Sequence, residues 1–448
     1  MSDSDITNRR ASPDRSWLYL DFDSFFASAE QHFNPELRGQ AVGVVPLDVV
    51  GTGCIAISRE AKARGVPSGA NIRDARRADP DIRLVVARPD AYVRLHHRIL
   101  AVIEECVPVA NVRSIDELSC ALVASESAEA EALARTIKVR LREAFSECLT
   151  CSIGIAPSEK LAKIAAEMNK PDGLVVLDRA QLPRRIAHLP LGDIPGVSDG
   201  ILSRLNRAGV RDVPALWRMG AKQCRALWGS IEGERFWCAL HGYPYERPET
   251  EKRMFGHSRM LPLDWRTPER IHDCAKQLCL SAARRLRRSR HRATTLTFSA
   301  RGGGHRGYDS YKPDDRKWRT EVAMRPACDD SALLAALGEA MERASGKRGL
   351  DFRPRSIGVM LHGLVDAEEA QGDLFAAPAQ NGRERAERLS GAMDGLRERF
   401  GPEAVSHGMH DPLPGGYLGA KIAFGRIPDP ADFGEAATAD GDTQFVTV

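Results

Sequence analysis

The run Trp17-Leu18-Tyr19-Leu20-Asp21-Phe22-Asp23-Ser24-Phe25-Phe26 reads as a buried strand that ends in acids. A carboxylate left unpaired in a half-buried strand is costly, so such a residue usually has a cation close by. A second acidic pair, Asp116-Glu117, follows Ile115 inside another apolar run, Val112 to Leu122. Carboxylates on neighbouring strands can hold two Mg²⁺ ions about 4 Å apart, the arrangement that stabilises the attacking and leaving oxygens of a phosphoryl transfer. Spacing alone leaves strand-end solvation and structural ion pairs open as alternatives.

Outward from these acids, Cys151 to Ala156 reads as a further strand. Ser158 is placed to cap a helix reaching Met168, because Leu161, Ile164, Ala165 and Met168 recur at helical spacing. Strands and helices mixed in this way predict an α+β sheet domain. Around Ile194-Pro195-Gly196-Val197 a turn separates helical patterns, and the polar, Pro-containing stretch Glu246 to Glu251 reads as a linker. A last apolar run, Ile357 to Leu361, precedes a tail that is rich in small residues. Past Arg426 that tail has five acids and no Lys or Arg, which predicts disorder.

The whole chain of 448 residues carries a net charge of only +3, a value that by itself argues against a nucleic-acid binder. The charge is unevenly spread. Between Ser281 and Arg319, twelve Lys or Arg face three Asp, a local net of +9. Within that segment Arg284, Arg285, Arg287, Arg288, Arg290 and Arg292 crowd together, and like charges at this density repel unless a polyanion neutralises them. The sharper reading is a grip on a phosphate backbone; the plainer one is a solvated helix face. With 43% apolar and 28% charged residues, the composition excludes a disordered, collagen-like or coiled-coil chain. No apolar stretch is long enough to span a membrane. The polar opening, Met1 to Ser16, lacks a signal-peptide core, so a cytoplasmic location and reduced cysteines are expected.

Other motifs carry less. Gly302, Gly304 and Gly307 have G-x-G-x-x-G spacing, but the Tyr308 to Pro313 stretch after them offers no helix, so a loop between strands is expected. Cys148 and Cys151 form a lone C-x-x-C without the second pair that zinc requires. His407 and His410 have no other ligands near in sequence, and His96-His97 in a helical pattern read as structural or exposed rather than catalytic.

Taken together, Leu20-Asp21-Phe22-Asp23-Ser24-Phe25-Phe26-Ala27-Ser28-Ala29-Glu30, Ser114-Ile115-Asp116-Glu117, and Ser152-Ile153-Gly154-Ile155-Ala156 resemble the Y-family translesion DNA polymerases. So do Lys160-Leu161-Ala162-Lys163-Ile164-Ala165 and Met168-Asn169-Lys170-Pro171-Asp172-Gly173. The similarity runs over about residues 16 to 365. It implies an α+β right-hand polymerase: palm at 17–30 and 91–185, small fingers at 31–90, and a helix-hairpin-helix thumb at 186–245. A C-terminal little finger at 246–365 is implied as well. Residues 1–16 are expected to be disordered, and 366–448 to form a flexible tail with a short helix from Glu384 to Phe400.

The resemblance also implies roles for single residues. Asp21, Asp116 and Glu117 become the catalytic, metal-binding carboxylates for two Mg²⁺ ions, with the main-chain carbonyl of Phe22 helping to hold one ion; Asp23 is not a ligand. Phe26 becomes the steric gate that excludes a ribose 2′-hydroxyl, with Phe25 beside it, and Lys170 contacts the incoming triphosphate. Arg59 and Lys62 stand where many relatives carry a Tyr and an Arg on that triphosphate, a departure that keeps positive charge but loses the fork of Arg at one place. Gly196 belongs to the thumb hairpin, which would point N–H groups at DNA phosphate, and Ser198 stands where a second Gly is common. The arginines 284 to 292 fall in the little finger as DNA contacts. Gln371-Gly372-Asp373-Leu374-Phe375 resembles a sliding-clamp peptide with Leu374 and Phe375 as apolar anchors. The implied activity is low-fidelity, template-directed transfer of dNTPs to a primer 3′-hydroxyl past damaged template, by a monomer without membrane attachment. The rival is a non-catalytic DNA- and clamp-binding accessory subunit on the same fold.

Overall fold

The computed structural model describes residues 16–48, 52–245, 247, 252–302, 316–347, 349–366, 380–401, 404–408, 427 and 445–446. The chain divides into two compact units, residues 1–248 with 422–448, and residues 249–421.

The first unit is built on β1 (Ser16–Phe22), whose Leu18 to Phe22 are buried on both faces because it is the central strand of a sheet. The strand is shorter than its apolar run. At Asp23 and Ser24 the chain turns, Ser24 adopts φ 52°, and α1 (Phe25–Phe33) begins, so Phe25 and Phe26 are helical rather than extended. Side chains hold that turn: Thr150 Oγ1 and Ser152 Oγ donate to the Asp23 carboxylate at 2.9 and 2.8 Å, and Ser28 Oγ donates to the Asp23 carbonyl at 2.7 Å.

The chain then forms a small separate layer. β2 (Val42–Val45), β3 (Ala56–Ile57), α2 (Arg59–Ala63), α3 (Ile72–Ala78) and β4 (Arg83–Val86) enclose their own core of Val45, Cys54, Ile57, Ala61, Ile72, Ala75 and Leu84. β2 lies in the middle, antiparallel to β3 and parallel to β4. The outer edge of β4 is capped from far along the chain, where Val446 N–H donates to Leu84 O at 3.0 Å.

Returning to the first sheet, the chain runs through α4 (Pro89–Glu104), β5 (Asn111–Val112), β6 (Glu117–Leu122), α5 (Ala124–Ala128), α6 (Ala130–Ala144), β7 (Cys151–Ala156), α7 (Glu159–Glu167) and β8 (Leu174–Val176). The strand order is β5-β6-β1-β7-β8, with β1 antiparallel to both neighbours and β7 parallel to β8. The run read as one strand, Val112 to Leu122, is a tight hairpin instead, and the turn between β5 and β6 carries Asp116. Leu18, Leu20 and Phe22 pack with Tyr92, Leu95 and Ile99 of α4 and with Ile137 and Leu141 of α6. Tyr19 packs instead with Leu161, Ile164 and Ala165 of α7. Alternation along a strand therefore puts Asp21 on the α7 side. α7 lies so close to β7 that a Cβ on Gly154 would come within 1.9 Å of Ala162 O.

Four helices continue the α7-side core: α8 (Asp199–Arg207), α9 (Val213–Trp217), α10 (Ala221–Trp228) and α11 (Glu232–His241), through Ile201, Leu205, Leu216, Phe236 and Leu240.

The second unit is a two-layer α+β fold. Its elements are β9 (Met254–Met260), α12 (Pro268–Arg288), β10 (His291–Arg301), β11 (Lys317–Ala327), α13 (Asp330–Ser345), β12 (Ser356–Asp366) and α14 (Gln380–Phe400). The antiparallel sheet has the order β11-β10-β12-β9, and α12 and α13 cover one face with Leu278, Ala282, Leu286, Leu333 and Leu337. The helix expected from Glu384 to Phe400 in a flexible tail begins at Gln380 and is packed, with Ser390, Met393 and Arg397 buried. Among the described residues no helix is long and apolar enough to cross a membrane.

Candidate active site

The acids meet at one end of the first sheet. Asp21 stands opposite Glu117 in the β1–β6 register, and the carboxylate oxygens of Asp21, Glu117 and Glu167 lie within 4.8 Å of one another. Of the three expected carboxylates, Asp21 and Glu117 are thus in that group, and Asp116 is outside it. The hairpin turn explains the difference. Asp116 Oδ1 accepts from Ser114 Oγ at 2.5 Å, while the Asp116 carbonyl accepts the Phe22 N–H at 2.9 Å. Glu167, on the last turn of α7, was not singled out in the sequence; its position three residues before Lys170 was the available signal.

Two ammonium groups partly balance these acids. Lys170 Nζ lies 2.7 Å from Asp21 Oδ2 and 2.8 Å from Glu167 Oε1, and Lys163 pairs with Glu117. Burial pushes the Asp21 carboxyl well above the usual carboxylate range, with Lys170 pulling back against it. Burial likewise raises Asp116 against the Ser114 hydrogen bond. For Glu117 burial also acts upward, but the Lys163 contact outweighs it and holds the group low. Four carboxylates against two ammonium groups leave a surplus of hard, anionic oxygen in a partly desolvated corner, a donor set suited to Mg²⁺-like divalent ions. Behind the hairpin, buried His96 shares a 2.8 Å hydrogen bond between Nδ1 and the Ile115 carbonyl; burial lowers its pKa to about 4, so it stays neutral as a structural residue.

Of the predicted nucleotide residues, Lys170 touches this corner directly. Phe26 is buried, its ring 5.0 Å from that of Tyr92 and 5.8 Å from that of Phe25. Tyr92 escaped notice because a lone Tyr in a helical pattern has no sequence signature. Its hydroxyl donates to Glu30 at 2.7 Å, and Arg88 grips the same carboxylate at 3.0 and 2.7 Å. Lys170 sits on a loop anchored by Asp23, whose Oδ2 accepts the Asp172 N–H at 2.8 Å. Asp23 thus ties the turn after β1 to β7 and to the Lys170 loop. Arg59 and Lys62 share the first turn of α2, capped by Ser58 Oγ at 3.2 Å from Ala61 N, and neither has an ion-pair partner among the described residues.

The expected DNA contacts divide. Gly196, at φ +96°, forms the turn before α8 as predicted. The arginines of the cluster are engaged within their own unit. Arg287 pairs with Asp394 at 2.7 Å and with buried Asp330 at 2.7 Å, and Arg284 approaches Asp394 at 3.7 Å. Arg292 pairs with Glu387 at 2.9 Å and Arg288 with Glu398 at 3.1 Å. Arg285 donates to the Gly256 carbonyl at 2.7 Å, and Arg290, at φ 54°, ends the turn after α12. Three carboxylates of the chain's own helix α14, Glu387, Asp394 and Glu398, thus pair with four of these six arginines. On β11, exposed Lys317, Arg319 and Arg325 share a face with Glu321, which pairs with Arg319, and Arg301 of β10 stands opposite Lys317. The peptide Gln371, Leu374 and Phe375 lies outside the described residues, as does the glycine loop past Gly302.

Residues 20–167 match the model of the impB/mucB/samB family, and residues 252–374 match that of the same family's C-terminal domain. DNA polymerase IV of Moorella thermoacetica is 31% identical over 405 residues, spanning 88% of this chain and 96% of that one. DNA polymerase IV of Alkalilimnicola ehrlichii is 32% identical over 368 residues, spanning 81% and 99%. Among solved structures, a Y-family DNA polymerase chimera superposes with a TM-score of 0.63 at 22% identity, over 78% of this chain and 99% of that one, a likeness of fold. The acids at the ends of β1 and β6, the fold and these relatives agree, and the chain belongs to the impB/mucB/samB family of Y-family DNA polymerases.

Proposed function

We propose that the chain adds deoxynucleotides to a primer 3′-hydroxyl under the direction of a DNA template, including template that carries damage, with the low fidelity of its family. The observation that carries this reading is the convergence of Asp21, Glu117 and Glu167 with Lys170 at one end of the sheet. Two divalent ions, when bound, would activate the 3′-hydroxyl and neutralise the triphosphate. Asp21 and Glu117 would hold them, with Asp116 joining by rotation about its side chain away from Ser114 and the Phe22 carbonyl close by.

The chain's own groups do the rest. Lys170 exchanges Asp21 for triphosphate oxygen as nucleotide enters, while the Asp23–Asp172 hydrogen bond holds its loop in place. Arg59 and Lys62 offer charge to the outer phosphates from a capped helix end. Phe26, backed by Tyr92, presents its ring edge to the sugar and excludes a 2′-hydroxyl. Glu30 and Arg88 keep Tyr92 from swinging out, so the gate does not yield. Gly196 and the exposed Lys317 and Arg325 of β11 would contact DNA backbone, alongside those arginines of the cluster that α14 does not engage.

The purified chain, given Mg²⁺, primer-template and dNTPs, should extend the primer, and Asp116→Ala should reduce the rate by at least about 100-fold, the scale of losing one catalytic group. Absence of extension by the wild type, or full activity of Asp116→Ala, rejects the reading.

A further inference from the structure

Lys160 is the second residue of α7, on the palm side, yet its ammonium is seated in the thumb. Nζ donates to the Pro195 carbonyl at 2.7 Å and stands 4.8 Å from the centre of the Phe236 ring. A Cβ on Gly196 would approach Lys160 Nζ to 3.2 Å and Phe236 to 3.4 Å, so the charge is packed directly beneath the hairpin turn. Two residues before it, Ser158 Oγ donates to Ala239 O at 2.5 Å, a second tie between the start of α7 and the thumb helix α11.

The hairpin turns its hydrogen-bonding groups in two directions. Val197 N–H closes on Ile194 O at 2.9 Å, and the Pro195 carbonyl faces Lys160. The first turn of α8 follows at once; its leading N–H groups have no intrahelical acceptor, and the Ser198 side chain caps none of them. An anion lying against those N–H groups would feel the Lys160 charge through one layer of backbone. A neutral side chain such as Met could fill the same space against Phe236 but would leave the Pro195 carbonyl without its donor. The same ammonium also places positive charge beneath the anion-facing N–H groups.

We propose that Lys160 is a positioning residue for DNA, locking the thumb hairpin to the palm helix and adding its charge beneath the hairpin's phosphate-facing backbone. The inference rests on reading the hairpin as a DNA-phosphate site. Burial lowers the Lys160 pKa to about 8, with Lys163 and Arg247 pushing the same way and Glu159 and Glu232 pushing back. Its charge is therefore present at neutral pH and is lost as pH rises through that value.

Fluorescence anisotropy with labelled primer-template would measure DNA affinity for full-length wild type, Lys160→Met, Lys160→Arg and Gly196→Val at pH 6.5 and 9.5. At pH 6.5 Lys160→Met should bind about two- to fivefold more weakly than wild type, the scale of one charge at a helix end. Lys160→Arg should match wild type at pH 6.5 and outbind it by a similar factor at pH 9.5, because guanidinium stays charged. Wild-type affinity from Lys160→Met at pH 6.5, or wild type tracking Lys160→Arg to pH 9.5, overturns the inference. Unchanged binding by Gly196→Val rejects the hairpin reading itself, and the inference with it; weakened Gly196→Val beside an unaffected Lys160→Met rejects only the role of Lys160.

Discussion

Lys170 Nζ lies 2.7 Å from Asp21 Oδ2, so the cation expected to meet the triphosphate rests on a carboxylate expected to meet metal. Nucleotide and metal binding are coupled through this pair, because each must take one partner away from the other. Lys170→Ala should raise the KM for dNTP by about tenfold, in line with loss of a charged hydrogen bond of about 1.5 kcal/mol. It should also tighten metal binding without nucleotide, since Asp21 loses a competing cation. Steady-state kinetics and a metal titration check the two halves separately.

Metal binding should also depend on pH. Asp21 and Asp116 have their carboxyl pKa values raised by burial, so the metal-free native state retains protons that the unfolded chain has released. Over the interval from the ordinary carboxylate range up to the raised values, stability contributed by these two groups falls as pH rises. Glu117, held low, contributes in the opposite sense and only at acidic pH. Saturating Mg²⁺ should therefore raise Tm more at pH 8 than at pH 5.5, measured by thermal melts with EDTA as the reference. Equal shifts at both pH values would contradict the site.

The gate depends on its backing. Phe26→Ala should admit ribonucleotides, and an unchanged ratio of rNTP to dNTP incorporation would count against the gate. Glu30→Gln leaves Arg88 without its carboxylate and should cost about 3 kcal/mol, as expected for breaking a buried ion pair. Denaturant melts measure that cost, and a partial rise in rNTP use would follow from a looser Tyr92.

Helix α14 is expected to stabilise the second unit through its acids. Asp394→Ala removes the carboxylate that Arg287 holds at 2.7 and 3.0 Å and should destabilise by about 1–3 kcal/mol, because Arg287 keeps Asp330. Thermal melts check the loss. An increase in DNA affinity in the same variant would indicate that α14 also masks arginines from phosphate.

The clamp peptide is tested by pull-down. Leu374→Ala with Phe375→Ala should abolish capture by a bacterial sliding clamp while primer extension without clamp is unchanged. Undiminished capture removes the assignment.

Much of the site was legible because its chemistry is written in short segments. Asp21 and Asp116-Glu117 are recognisable as acids that interrupt apolar runs, whereas Lys170 was legible through the resemblance of Met168-Asn169-Lys170-Pro171-Asp172-Gly173 to the family. Ser158 as N-cap and the α+β class followed from local periodicity alone. The end of β1 did not: an apolar run does not reveal that Asp23 will be held by Thr150 and Ser152, which are more than a hundred residues away. Tyr92 and Glu167 entered the site only through packing and through the pairing of strands and helices.

Charge makes the same division. The sequence by itself determined that positive charge is concentrated from Arg284 to Arg319 and that acids stand at strand ends, because composition and order are local facts. Only the tertiary structure decided which anion each cation meets. Glu387, Asp394 and Glu398 follow the arginines by about a hundred positions, yet α14 brings them within hydrogen-bond reach. Coulomb energy depends on distance through space, and sequence separation does not set that distance.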